Sequence, residues 1–162
     1  MSVKKHSTSS TFVFSQGPDG WELGMVLQPR LGKVMVAGGH EEDDETSEEC
    51  AVREVVEEMG VRIRLIDAPA PSLPNGYPHP LVAQPWWITE LQVPRDNHLD
   101  EDHVHVDHVF VAVADDRTPV SEPVHEVLWL SEAQVAENPN IFEDTKILAK
   151  ELFARIDELA AA

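Results

Sequence analysis

Three glutamates, Glu54, Glu57 and Glu58, stand at positions i, i+3 and i+4. On a helix turning about 100° per residue they fall within one arc of roughly 100°. Like charges so placed repel by about 0.2–0.5 kcal/mol per pair, which favours either full solvation or a cation between them. Hard divalent cations take oxygen ligands of this kind, and Mg²⁺ typically uses one or two carboxylates, waters and substrate phosphates. The chemistry on offer is therefore metal-assisted, with a solvated acidic helix face as the plain alternative. Opposite the acids, Val52, Val55, Val56 and Met59 form the stripe expected to pack on a sheet. The small Cys50 and Ala51, one turn before the acids, are expected to leave room for a ligand.

The surrounding residues extend the pattern. Gly39 is followed after five residues by Glu45, and after seven more by Arg53-Glu54-Val55-Val56-Glu57-Glu58-Met59-Gly60-Val61. This resembles the Nudix box, G-x5-E-x7-R-E-U-x-E-E-x-G-U with U apolar, at every defined position. The resemblance implies an α/β fold, the Nudix α/β/α sandwich with a mixed β-sheet. It also implies hydrolysis of a nucleoside diphosphate linked to another moiety, with Mg²⁺ or, in its place, Mn²⁺. Carried over by position, Glu54, Glu57 and Glu58 would be metal ligands, Glu54 also lying near the attacking water, and the carbonyl of Gly38 would be a further ligand. Arg53 would join them in catalysis, fixing the loop together with Glu45, while Gly39 and Gly60 shape the turn and the helix end. Where many relatives have an aromatic residue and a proline before the paired glycines, this chain reads LGKVMVAGG, with Ala37 before Gly38; that leaves base recognition open. A module of the same fold that binds a nucleotide or a protein partner without turnover is the alternative.

A second cluster competes. His103-Val104-His105-Val106-Asp107-His108 spells H-x-H-x-D-H, the pattern of the metallo-β-lactamase superfamily, but the 54 residues after His108 are too few for that fold and hold one histidine, His125. The segment instead predicts a strand with His105 and Asp107 on one face, lining the substrate cleft or sitting at its rim. Imidazoles at i and i+2 of a strand can also share a zinc or nickel ion. Glu126 begins a strand from which Nudix proteins often send an acid to the metal cluster or the base. Arg30 and Lys33 are the bases near the box on its N-terminal side, placed to reach phosphate. Of Trp86 and Trp87, adjacent on a strand, one should face the core and the other the opposite side.

These groups need a scaffold. TFVFS (Thr11–Ser15), WELGMVLQ (Trp21–Gln28) and KVMVA (Lys33–Ala37) predict antiparallel strands, the first two joined through the turn signal GPDG. Thr46 to Met59 predicts a helix, with Thr46 and Glu49 in capping-box spacing and Gly60 as its stop. Val61–Asp67, Trp86–Val93, His105–Ala114 and His125–Leu130 predict further strands, and Phe142–Ala161 a closing helix. The proline-rich Asp67–Pro85 segment between the halves is expected to be a lid or a homodimer contact.

Length and charge bound the rest. A chain of 162 residues suits a single domain over 1–162. Twelve basic against thirty acidic residues give a net charge of −18, and Glu41–Glu58 alone holds ten acids and one base. Such a surface opposes nucleic-acid or membrane partners and leaves a small-molecule nucleotide-like diphosphate, bound through metal, as the expected ligand. One cysteine, and no apolar run long enough for a signal peptide or membrane span, lead to the expectation of a cytoplasmic protein.

Overall fold

The computed structural model describes residues 3–93 and 102–162. In chain order these form β1 (Lys5–Gly17), β2 (Gly20–Gln28), β3 (Lys33–Met35), β4 (Ala37–His40), α1 (Ser47–Met59), β5 (Arg64–Leu65), β6 (Trp87–Val93), β7 (His103–Val113), β8 (Val127–Leu130), α2 (Glu132–Glu137), α3 (Glu143–Phe153) and α4 (Ile156–Ala161).

All eight strands belong to one mixed sheet built around β1. The C-terminal half of β1 pairs antiparallel with β2, and its N-terminal half pairs antiparallel with β4, Thr8 opposite His40. Its other edge runs parallel to β7 from Lys5 opposite Val104 to Phe14 opposite Val113. Strands β5 and β6 extend the sheet from β7, and β3 and β8 from β2, all antiparallel.

Alternation along the strands divides the interior in two. Phe12, Phe14, Leu23, Met25, Val109, Val111 and Val113 face one side, where Ala149, Leu152 and Ile156 of α3 and α4 cover them. Val13, Val26, Ala37 and Ala114 face the other, under Val55 and Met59 of α1. This is the expected α/β class, helices on both faces of a mixed sheet.

Local chemistry explains α1. The Thr46 side chain accepts from the Glu49 amide while the Glu49 carboxylate accepts from the Thr46 amide, the predicted capping box, a device that contributes about 1 kcal/mol. Gly60 ends the helix at φ 70°, and a Cβ there would also lie 2.5 Å from the Ser121 carbonyl oxygen. The orientation of α1 differs from the prediction. Its buried residues are Cys50, Ala51, Val55, Glu58 and Met59, whereas Val52 is exposed beside Leu81 and Val82 of the proline-rich segment. The buried arc is thus rotated by about 100° toward the acids relative to the valine stripe. Gly38 and Gly39 on β4, lacking side chains, accept this approach. Cys50 and Ala51 pack fully against the sheet and leave no ligand space.

Other elements also differ. β1 starts six residues earlier than predicted, because Lys5–Ser10 has no apolar alternation yet is paired with β7 throughout and, from Thr8, with β4 as well. Lys33–Ala37 divides at Val36 into β3 and the start of β4, the strand after Val61 shrinks to Arg64–Leu65, and the closing helix breaks at Ala154–Arg155. The short α2, capped by Ser131 and Gln134, was outside the predicted set. Trp86 and Trp87 pack against the same core cluster, because Trp86 precedes β6, its indole donating to the Ile66 carbonyl, and escapes strand alternation.

Candidate active site

The helix α1 and the strand β4 meet edge-on at the glycines. An added Cβ at Gly39 would lie 2.3 Å from Glu54 Oε1, so the missing side chain is what gives the carboxylate its place. Next to it the Gly38 amide donates to Glu58 Oε1 at 2.8 Å. The contact observed at Gly38 is thus through its N–H.

Arg53 organises the acids. Its Nε and Nη2 grip the two oxygens of Glu45 at 3.0 and 2.6 Å, a bidentate fork. Nη2 also donates to the His40 carbonyl at 3.0 Å, and Nη1 reaches Glu54 Oε1 at 3.0 Å and Glu57 Oε2 at 3.3 Å. One guanidinium therefore ties the loop, the end of β4 and two of the three clustered glutamates together. Glu45 also accepts from the Glu42 amide. The Arg53 hydrogen bonds hold the Glu45 carboxyl down at about 2, against burial.

The three box glutamates have different surroundings. Glu57 is half exposed, whereas the side chains of Glu54 and Glu58 keep only 13% and 11% of their accessible surface. Burial pushes the Glu58 carboxyl up to about 7, with the Gly38 amide opposing and the charges of Glu54 and Glu57 adding to the rise. Glu54 is also raised by burial, against the charge and hydrogen bond of Arg53. Carboxylates crowded and desolvated in this way are disfavoured as anions unless cations neutralise them. An all-oxygen anionic donor set at a glycine-lined strand end fits a hard divalent cation such as Mg²⁺ or Mn²⁺.

The remaining sequence candidates are dispersed. Glu126 is exposed at the start of β8, and its neighbour His125 is the residue that reaches the cluster, with Nε2 3.5 Å from Glu58 Oε2 and 3.4 Å from Gln28 Nε2. Adjacent residues near a strand alternate faces, so the choice between His125 and Glu126 depended on the pairing of β8 with β2. Lys33 lies over the Phe142 ring, 5.3 Å from its centroid, and Arg30 is exposed in the turn after β2. Asp107 accepts from Thr8 Oγ1 at 2.8 Å, and His105 stands next to His103 with Nε2 atoms 3.0 Å apart. Both project on the face opposite α1, since they share it with Val109 and Val111. In the proline-rich segment the Ala83 amide donates to Glu48 at 2.9 Å, and Leu81 and Val82 border an open cleft with Val52 and Arg53.

Comparison with known proteins adds the family. Residues 16–150 match the model of the NUDIX domain. No curated protein matches the chain. Among solved structures, a NUDIX-family hydrolase from Clostridium perfringens superposes with a TM-score of 0.70 at 22% identity, covering 93% of this chain and 97% of the other. The Ap4A hydrolase of C. elegans gives 0.64 at 11% identity, covering 93% and 98%. The NUDIX domain of Shewanella oneidensis NrtR, solved with ADP ribose, gives 0.57 at 18% identity, covering 93% and 89%, and NrtR was also solved with a 27mer DNA. At these identities the superpositions speak for the fold alone, but the domain match covers most of the chain and the box within it is intact: the chain belongs to the Nudix family.

Proposed function

We propose that this protein is a Mg²⁺-dependent pyrophosphohydrolase, with Mn²⁺ able to substitute, acting on a nucleoside diphosphate linked to another moiety. The observation that supports the reading most is the Arg53 network, which gathers Glu45, Glu54, Glu57 and the end of β4 around buried Glu58. A surface kept only for solubility gives no reason to bury two of three mutually repelling glutamates.

In this reading Glu54, Glu57 and Glu58 hold the metal, and Glu54 faces the attacking water. A bound divalent cation supplies neutralisation of the diphosphate and lowers the pKa of a bound water. The protein's own groups do the positioning. Arg53 fixes the loop through Glu45 and the strand through the His40 carbonyl, the Gly38 amide orients Glu58, and His125 borders Glu58 from β8. Such pre-positioning reduces the entropic cost of alignment at the moment of reaction. Ap4A and ADP ribose, named for two structural neighbours, both fall in the proposed substrate class.

The net charge of −18 favours a small metal-bound ligand over a nucleic acid or anionic membrane. Among the described residues no helix is long and apolar enough to cross a membrane. We place the activity in the cytoplasm, carried by residues 1–162 as one domain. The test is a panel of nucleoside triphosphates, nucleotide sugars including ADP-ribose, and dinucleoside polyphosphates, assayed for released phosphate or pyrophosphate with Mg²⁺ or Mn²⁺. Hydrolysis of at least one member, lost in Glu58→Gln, is expected. Binding across the panel with no hydrolysis would replace the proposal with a non-catalytic binding module.

A further inference from the structure

On the sheet face away from α1, histidines distant in sequence come together. β1 separates β4 from β7, and its register sets Thr8 opposite both His40 and Asp107, and His6 opposite His105. Residues in register project to the same face. His103 and His105, at i and i+2 on β7, share that face. The ligand nitrogens of His40, His103 and His105 all lie within 4.8 Å of one another, and among the described residues this is the one trio of potential metal-binding side chains that does. The Nε2 atoms of His103 and His105 are 3.0 Å apart. His103 is 1% exposed. His6 packs edge-on against His40 and His103, with ring centroids 5.7 and 5.5 Å away.

We propose that His40, His103 and His105 form a second metal site, for a transition-metal ion of the zinc class, on the opposite face of the sheet from the box carboxylates. Imidazole nitrogens suit zinc, nickel, copper and cobalt, whereas Mg²⁺ prefers oxygen, so the two sites select different ions by ligand chemistry. Zn–N bonds of about 2.0–2.1 Å at tetrahedral angles put ligand nitrogens roughly 3.3 Å apart. The 3.0 Å pair is close to that spacing, and the His40 nitrogen lies within 4.8 Å of both. Three protein ligands leave a fourth position for water or for the imidazole of His6.

The position gives such an ion leverage on the first site. The side chain of His40 faces the histidines while its carbonyl accepts from Arg53 on the other side. A metal at the trio would join β4 to β7 across β1, and β4 carries the Gly38 amide that orients Glu58. The ion's role would be to fix the strand on which the carboxylate cluster is built.

Two imidazoles at 3.0 Å can instead share a proton in an N–H···N hydrogen bond, and the test separates the cases. Metal-free full-length protein is titrated with Zn²⁺ by calorimetry in excess Mg²⁺, and with Co²⁺ while the visible absorption of four-coordinate cobalt is followed. One equivalent of tightly bound Zn²⁺ and the cobalt bands are expected, and both should persist in the triple variant Glu54→Gln, Glu57→Gln, Glu58→Gln. His103→Gln combined with His105→Gln should abolish both signals, and His79→Gln should leave them in place. If the double variant does not fold, the partly exposed His105→Gln alone is used, with an expected loss of affinity of at least tenfold. Loss of Zn²⁺ binding in the triple carboxylate variant, or wild-type affinity in the histidine variants, would overturn the proposal. Because the readout is binding in a variant stripped of the box carboxylates, its failure is distinguishable from failure of the hydrolase reading.

Discussion

Replacing Glu58 by glutamine should stabilise the metal-free protein, and do so only at neutral to alkaline pH. The folded carboxyl titrates at about 7 against an ordinary 4.5, mainly because it is buried. A raised pKa means that folding favours the protonated form. No penalty exists below 4.5, a cost accumulates as pH rises toward 7, and above that it is complete. At 1.36 kcal/mol per unit the difference amounts to about 3 kcal/mol. Glutamine keeps an oxygen for the Gly38 amide and carries no charge to bury. The groups facing Glu58 are Glu54, Glu57 and His125, with Arg53 behind the first two. His125→Gln in both backgrounds removes the neighbouring imidazole from the comparison. Urea unfolding in EDTA at pH 5 and pH 8 measures the effect. Glu58→Gln should be close to wild type at pH 5 and up to about 3 kcal/mol more stable at pH 8, roughly 6–12 °C in Tm for a chain of this size. Mg²⁺ at a hundred times its Kd should close most of that gap, since it adds about 2.7 kcal/mol to the protein that binds it. A stability difference independent of pH, or a variant less stable than wild type at pH 8 in EDTA, would refute the burial argument.

Arg53→Lys cannot keep the fork on Glu45 together with the bonds to His40, Glu54 and Glu57; the expected result is a large fall in turnover with only a modest change in Mg²⁺ affinity, whereas Glu54→Gln should impair both. Equal loss of metal affinity in the two variants, read by calorimetry, would contradict that division of roles. Gly39→Ala places a methyl 2.3 Å from Glu54 Oε1, so kcat should fall at least tenfold as the carboxylate is displaced, while circular dichroism shows a folded protein; an unchanged kcat would mean that Glu54 is not needed where it stands. The thiol of Cys50, fully buried and raised to about 11 chiefly by that burial, should resist thiol reagents in native buffer and react on unfolding.

The carboxylate site was readable because it is local. Its glutamates, its arginine and its glycines lie within 23 consecutive residues, and the caps of α1 are set by contacts three or four residues apart. What failed to show were features decided by strand neighbours. The polar run Lys5–Ser10 looks like a loop until Thr8 bonds Asp107, 99 residues on, and Ser9 bonds the Ser47 carbonyl. The buried arc of α1 followed the glycines of β4 rather than the valines of the helix. The choice of His125 over Glu126 at Glu58 rests on a one-residue phase that only the β2–β8 register sets. His40 lies 63 residues from His103, and nothing near either announces the other.

The parallel pairing of β1 with β7 also bears on how the chain reaches its fold. Lys5 meets Val104 across 99 residues, and closing a loop of that length carries an entropic cost of about 4 kcal/mol by its logarithmic dependence. During synthesis β1 emerges early, yet one of its edges stays without a partner until β7 has left the ribosome. Helix α1 can form in the interval, but the strand through which β4 is joined to the rest of the sheet is still unanchored. Folding is therefore expected to be slow and governed by this one long-range closure. The nascent N-terminal half, with a β-rich segment exposed, is the stage at which misassociation is most to be expected.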